Sequence, residues 1–213
     1  MRVNCEKEAV EQMAKEILIA ARTAPKGKGF DNIVTGLLEK EEINPLADEM
    51  EKLSEKLGAF FVRDAENIRN SDAVILIGLK ESRPMGLNCG ACGFETCADF
   101  KTAEKTKEAP FIGPICSIKS IDLGIALGSA VSKAKDMCLD NRIMYSAGAT
   151  ACKTKMFDAE CAYAIPLSAS GKSPYFDRAE TTAAKQMKKI NEKLKKQKNE
   201  KTKKNKKKEM KSK

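Results

Sequence analysis

Ala73-Val74-Ile75-Leu76-Ile77-Gly78-Leu79 is the longest uncharged apolar run in the chain, and β-branched residues recur along it. Seven such residues without alternation predict a central strand buried on both faces. A strand of that kind needs a layer of structure on each side. Upstream, Val10, Met13, Ile17 and Ala20 fall at helical spacing and predict an amphipathic helix over 6–22. Asn44-Pro45 is expected to open a second helix, with Leu46, Met50, Leu53 and Leu57 on its apolar face and Gly58 at its end. Residues 59–62 read as a short strand, and 64–71 as a helical or irregular connection. Downstream, a long helix is expected over 118–139, capped by Ser120 or Asp122. Ile121, Ile125, Val131 and Met137 would help line one side of it, with Gly124, Ala126, Gly128 and Ala130 permitting close packing. β-rich segments near 142–146 and 160–167 complete an α+β body.

Residues 81–116 interrupt this regular pattern. They contain Leu87-Asn88-Cys89-Gly90-Ala91-Cys92-Gly93-Phe94-Glu95-Thr96-Cys97 and, after eighteen intervening residues, Cys116. Three thiols on one short loop and a fourth from elsewhere suit all-thiolate ligation of a 4Fe-4S cluster, with Cys89, Cys92, Cys97 and Cys116 as candidate ligands. Gly90 and Gly93 let the loop turn sharply and bring amide N–H groups toward cluster sulfurs. A zinc site, a [2Fe–2S] centre and four unrelated buried thiols remain open. Structural zinc sites usually pair two C-x2-C knuckles, and here only one is present. Cys138, Cys152 and Cys161 are read as free buried thiols, with Lys153 a candidate activator of Cys152.

The chain has no histidine. That excludes a Ser-His-Asp triad, a Cys-His pair, His-ligated zinc and a Rieske-type centre. The net charge of +9 belongs to one end. Residues 185–213 hold fifteen lysines and three glutamates, while the rest carries 24 basic and 27 acidic side chains. Residues 179–213 therefore read as a Lys-rich tail, largely disordered, whose first part continues as a helix and which is disordered beyond Lys195. Such a tail suits an anionic surface or nucleic acid. No apolar run approaches transmembrane length, and the start, residues 1–6, has no apolar signal core. A soluble cytoplasmic protein with reduced thiols is the expectation.

The run 89–100 resembles the cluster-binding module of corrinoid iron–sulfur proteins and of the B subunit of Rnf electron-transport complexes. That resemblance implies a 4Fe-4S cluster on Cys89, Cys92, Cys97 and Cys116. The remainder is similar to nitroreductase-like flavoproteins. Ala20-Ala21-Arg22-Thr23-Ala24-Pro25-Lys26-Gly27-Lys28-Gly29 resembles their first turn, and Asp122-Leu123-Gly124-Ile125-Ala126 their "D-x-G-x-A" helix. Tyr163-Ala164-Ile165-Pro166-Leu167 and Arg178 resemble their closing segment. In this order the motifs resemble the ferredoxin-domain family called DUF2148.

The resemblance implies an α+β, nitroreductase-like (FMN-dependent type) sandwich with an inserted 4Fe-4S-binding subdomain. Residues 1–80 and 117–178 would form the body and 81–116 the insert. It also implies FMN, whose phosphate Arg22, Lys26, Lys28 and Arg178 would meet. The expected function is electron transfer or flavin-linked oxidoreduction with an unidentified redox partner, and the resemblance to nitroreductases implies a homodimer. The alternative is a non-catalytic iron–sulfur redox sensor or scaffold recruited by its basic tail.

Overall fold

The computed structural model describes residues 1, 3, 5–106, 108–176 and 182–209. Its sheet is built from β1 (Ile33–Leu37), β2 (Ala73–Leu79), β3 (Asp140–Asn141) and β4 (Cys161–Ser168). They lie in the order β1-β2-β4-β3, and every pair is antiparallel. The helices are α1 (Glu6–Thr23), α2 (Lys40–Leu57), α3 (Phe60–Arg69), α4 (Cys97–Thr102), α5 (Ser117–Asp136), α6 (Tyr145–Lys153) and α7 (Thr182–Glu209).

All seven residues of β2 are buried, as a strand with covered faces requires. Successive side chains go to opposite layers. Ala73, Ile75, Ile77 and Leu79 pack with Val10, Ala14, Ile17 and Ala21 of α1 and with Leu123, Ala126 and Ala130 of α5. Val74 and Leu76 pack with Leu46 and Met50 of α2, Phe61 and Ile68 of α3, and Ala147 of α6. The result is a three-layer sandwich with one core on each face of the sheet. Full burial of each Val, Leu or Ile stabilises it by about 1.5–3 kcal/mol.

Several local expectations give way to tertiary packing. Residues 60–62 are helical, not extended, because Phe61, Ala65 and Ile68 at helical spacing all reach the core. The second helix starts at Lys40, earlier than Asn44-Pro45. The Glu39 amide donates to the Glu42 carboxylate at 2.9 Å, and Pro45 is accommodated in the second turn. Only Met144 of the 142–146 segment pairs with β4, and the chain turns into α6 at Tyr145. That helix is made of small residues and presses on the sheet. A Cβ added at Gly148 would stand 2.1 Å from the Ala162 carbonyl oxygen.

In α5, Ile121 and Ile125 face solvent rather than the core. The close contact with α1 is made by alanines, while nothing lies within 4 Å of a Cβ built at Gly124 or Gly128. Neither Ser120 nor Asp122 caps the helix; Cys116 is its N-cap. The last helix, α7, rests Ala183 and Ile190 on Ala59 and Val62, with Met187 and Leu194 beside them. It continues to Glu209, past Lys195 where composition predicts disorder. No glycine or proline interrupts it, and Lys, Gln and Glu all favour the helix.

Candidate metal centre

β2 delivers the chain to this site and α5 carries it away; among the described residues, α4 is the regular element between them. Gly90 and Gly93 have φ of 70° and 88°, in the left-handed region that a side chain disfavours. They close a turn in which the Gly93 amide donates to the Gly90 carbonyl at 2.9 Å. Asn88 also has positive φ, at 47°, and its side-chain oxygen accepts the Cys97 amide at 2.8 Å. That bond ties the start of the loop to its end. Cys97 opens α4, whose first turn is closed by Thr96 and Asp99 bonding reciprocally.

Cys89, Cys92, Cys97 and Cys116 line one small cavity, together with Met85, Phe94 and Ile118. Cys89 is exposed, Cys92 and Cys97 are half-buried, and Cys116 is buried. Met85, Phe100 and Phe94 pack around Cys92 and Cys116 and give the inner part of the site an apolar wall. The Asn88 amide, foremost, pulls the Cys97 thiol below its ordinary value. Burial opposes this, and the Gly86 and Leu87 amides and the Lys101 charge add to it. Donors arranged in this way favour the thiolate, which is the form that binds metal. Among the described residues, no three His, Cys, Asp or Glu side chains close on a single point that could hold one ion. The four cysteines instead share the lining of one cavity. A cubane puts each thiolate on a different iron, so its ligands are more widely spaced than the four around one zinc. The all-thiolate donor set fits that group.

The glycine–lysine loop lies directly against this cavity. A Cβ added at Gly27 would come within 3.2 Å of Ile118 and 3.3 Å of Met85, and Lys28 Nζ donates to the Met85 carbonyl at 3.2 Å. A buried ion pair holds the loop there. Lys119 Nζ lies 3.0 Å from Asp122 Oδ2 and donates to the Phe30 carbonyl at 2.8 Å. Asp122 Oδ1 accepts the Gly27 amide at 2.8 Å. The role of this pair was not legible beforehand; the only signal was a Lys and an Asp spaced three apart in an otherwise apolar helix face.

The three described candidate phosphate ligands all have protein partners. Arg22 donates to Asp31 at 2.7 Å, to the Ile33 carbonyl at 2.6 Å and to Thr35 at 3.4 Å. Lys26 donates to the Arg22 carbonyl and stands 3.9 Å from Asp31. Burial pushes the Asp31 carboxyl up, but Arg22, the Ile33 amide and Lys26 together hold it below its ordinary value. Arg22 borders a cleft along β1 with Asp31, Asn32 and Lys80, whereas Lys26 and Lys28 do not line it. Arg178 lies outside the described residues.

Cys152 and Cys161 are not activated. Burial pushes Cys161 up to about 12, with Cys152 adding to it, and pushes Cys152 up to about 11. Lys153 turns away to the Glu108 carbonyl at 3.2 Å, so it is no activator of Cys152. Cys138 is exposed, contrary to the expectation of burial. Alkylation of the native chain with iodoacetamide near pH 8 should therefore label Cys5 and Cys138 readily and leave Cys161 unmodified. Peptide mapping reads the result, and fast labelling of Cys161 would contradict its burial.

Comparison with known proteins adds three findings. Residues 112–178 match the family described as an uncharacterized protein containing a ferredoxin domain (DUF2148). Residues 86–111 match the family described as "Putative Fe-S cluster". An uncharacterized protein of Archaeoglobus fulgidus is 49% identical over 172 residues, which is 81% of this chain and 93% of that one. Among solved structures, nitroreductase A from Vibrio parahaemolyticus is similar with a TM-score of 0.48 and 11% identity, over 80% of this chain and 63% of its own. This chain thus spans less than two thirds of that nitroreductase. The NADPH:FMN oxidoreductase from Vibrio harveyi is similar with a TM-score of 0.47 and 8% identity, over 87% of this chain and 76% of its own.

Proposed function

The chain belongs to the DUF2148 family of proteins containing a ferredoxin domain, and from that premise we propose that it is a redox protein whose Cys89, Cys92, Cys97 and Cys116 ligate a 4Fe-4S cluster. The observation that carries this reading is the lining of a single cavity by those four thiols. The cluster, when bound, supplies one-electron transfer. The chain's own part is to fix the ligands, through the left-handed turns of the loop and the N-cap of α5. The amides of Asn88, Gly86 and Leu87 favour the ionised Cys97. Met85, Phe94 and Phe100 shield the inner side from water.

FMN belongs to the proposal as the partner that would convert one-electron steps into a two-electron reduction. Arg22, Lys26, Lys28 and Arg178 are the residues offered to its phosphate, and the glycine–lysine loop adjoins the cysteine cavity through Met85 and Ile118. The internal partners of Arg22, Lys26 and Lys28 favour a second reading, a cluster protein without flavin that senses or relays redox state. Heating the anaerobically purified chain separates the two readings. Flavin fluorescence in the supernatant supports the oxidoreductase, and an iron-rich chain that releases none supports the second. A cytoplasmic location, a homodimer and an anionic partner for the lysine-rich end remain part of this proposal. No helix among the described residues is long and apolar enough to cross a membrane.

A further inference from the structure

A second, wider cleft of about 350 Å³ adjoins the cysteine cavity. One wall is the segment that leaves β2, with Glu81, Ser82, Arg83 and Pro84; the other is α4 and its exit, with Phe100, Lys101 and Lys105. Phe100 lines the cleft and packs against residues that line the cysteine cavity. It is only 6% exposed, meets Phe94 edge-on with ring centroids 5.6 Å apart, and packs with Cys116 and Met85. A molecule seated in the cleft would therefore be separated from the cysteine cavity by little more than one side chain.

The polar groups are arranged around a fixed anchor. Glu160 has a side chain 13% exposed, and both its oxygens are used. Oε1 receives Lys105, while Oε2 accepts the Ser82 amide at 2.8 Å and the Ser82 hydroxyl at 2.6 Å. Burial pushes this carboxyl up, but Lys105 and Ser82 outweigh it and hold it below its ordinary value. Its charge is thus spent on holding the two walls together. Glu81 receives Arg83 through Nε at 2.6 Å, which leaves the far edge of the guanidinium for other acceptors. Lys101 forms no hydrogen bond or ion pair among the described residues, and its charge acts on the Cys97 thiol. Arg83, Lys101 and Lys105 thus line a concave site with Phe100 at its floor; Glu81 and Glu160 each take one contact, of Arg83 and of Lys105, Lys101 has no carboxylate partner among the described residues, and the site's size suits a small ligand.

We propose that this cleft binds a small organic anion carrying at least two carboxylate or phosphate groups, held by Arg83, Lys101 and Lys105 with its carbon skeleton against Phe100 and Pro84. Arg83 supplies a planar fork and the lysines point charges, the combination suited to such groups. The binding site stands on the cleft's own residues. Only its use as the seat of the cluster's redox partner rests on the function proposed above.

The test is protection of individual lysines from acetylation by acetic anhydride, read by peptide mass spectrometry on the anaerobically purified chain. Citrate and inorganic pyrophosphate are the two probes, and they distinguish carboxylate from phosphate preference. Site-resolved mapping keeps weak binding by the lysine-rich end out of the signal. One or both probes should slow modification of Lys101 and leave Lys52 unaffected. Arg83→Gln should raise the concentration needed by about ten-fold, the effect of losing one charge-assisted contact. Unchanged Lys101 labelling with both probes, or protection that survives Arg83→Gln undiminished, would overturn the site. Protection in a preparation without iron would leave the site standing and remove its redox role. Absent protection in a chain rich in iron and sulfide would remove the site alone.

Discussion

Asp122→Ala should lower the unfolding free energy by about 3–5 kcal/mol, a large share of what holds a domain of this size together. The substitution leaves the Lys119 ammonium, 2% exposed, without its counter-charge, and it removes the acceptor of the Gly27 amide. The penalty comes from stranding a buried charge rather than from losing an attraction, so removing both charges should cost far less. Lys119→Met with Asp122→Leu is therefore expected to recover most of the stability. Urea midpoints of the two variants measure this. A loss below about 1 kcal/mol in the single variant would mean that water reaches the pair. The same helical turn begins at Cys116. The single variant should therefore also surrender iron to a chelator faster than the double one.

Cys116→Ala should abolish iron and sulfide binding, whereas Cys161→Ala should leave both intact. The two thiols are buried to nearly the same degree, at 4% and 6% exposed. They differ in place. Cys116 borders the cavity at the N-cap of α5, and Cys161 lies on β4 opposite Leu79. A general loss of packing would therefore affect both variants, and a loss of ligation only the first. Cys161→Ala is expected to cost about 1 kcal/mol of stability, in the range for a small core truncation. Full iron content in Cys116→Ala would remove that residue from the ligand set.

The central strand was legible because seven apolar residues in a row admit few other uses. The helix over α1 was legible because its apolar residues keep the helical period over about three turns. By contrast, α6 carries Ser146, Ala147, Gly148, Ala149 and Thr150, whose small side chains give no apolar stripe; the helix is dictated by its closeness to β4. Phe60-Phe61-Val62 suits strand or helix equally until Ala65 and Ile68 find the same core.

At the site, spacing alone gathers Cys89, Cys92 and Cys97 on one loop. The approach of Cys116 depends on where α5 begins, and that is a matter of tertiary structure. Sequence also gives no account of what a cation pairs with. Arg22 ends a helix and Lys26 follows it toward a glycine-rich turn, as phosphate ligands often do, yet Asp31 and backbone carbonyls engage them. Ser82 and Glu160 meet across 78 residues of chain, and nothing in either local context announces that meeting.

Iron, acid-labile sulfide and zinc measured on one anaerobically purified sample of the chain test the four-cysteine centre most directly. About four irons and about four sulfides per chain are expected, with zinc at trace level. Zinc in place of iron, or a colourless chain holding neither iron nor sulfide, would contradict it.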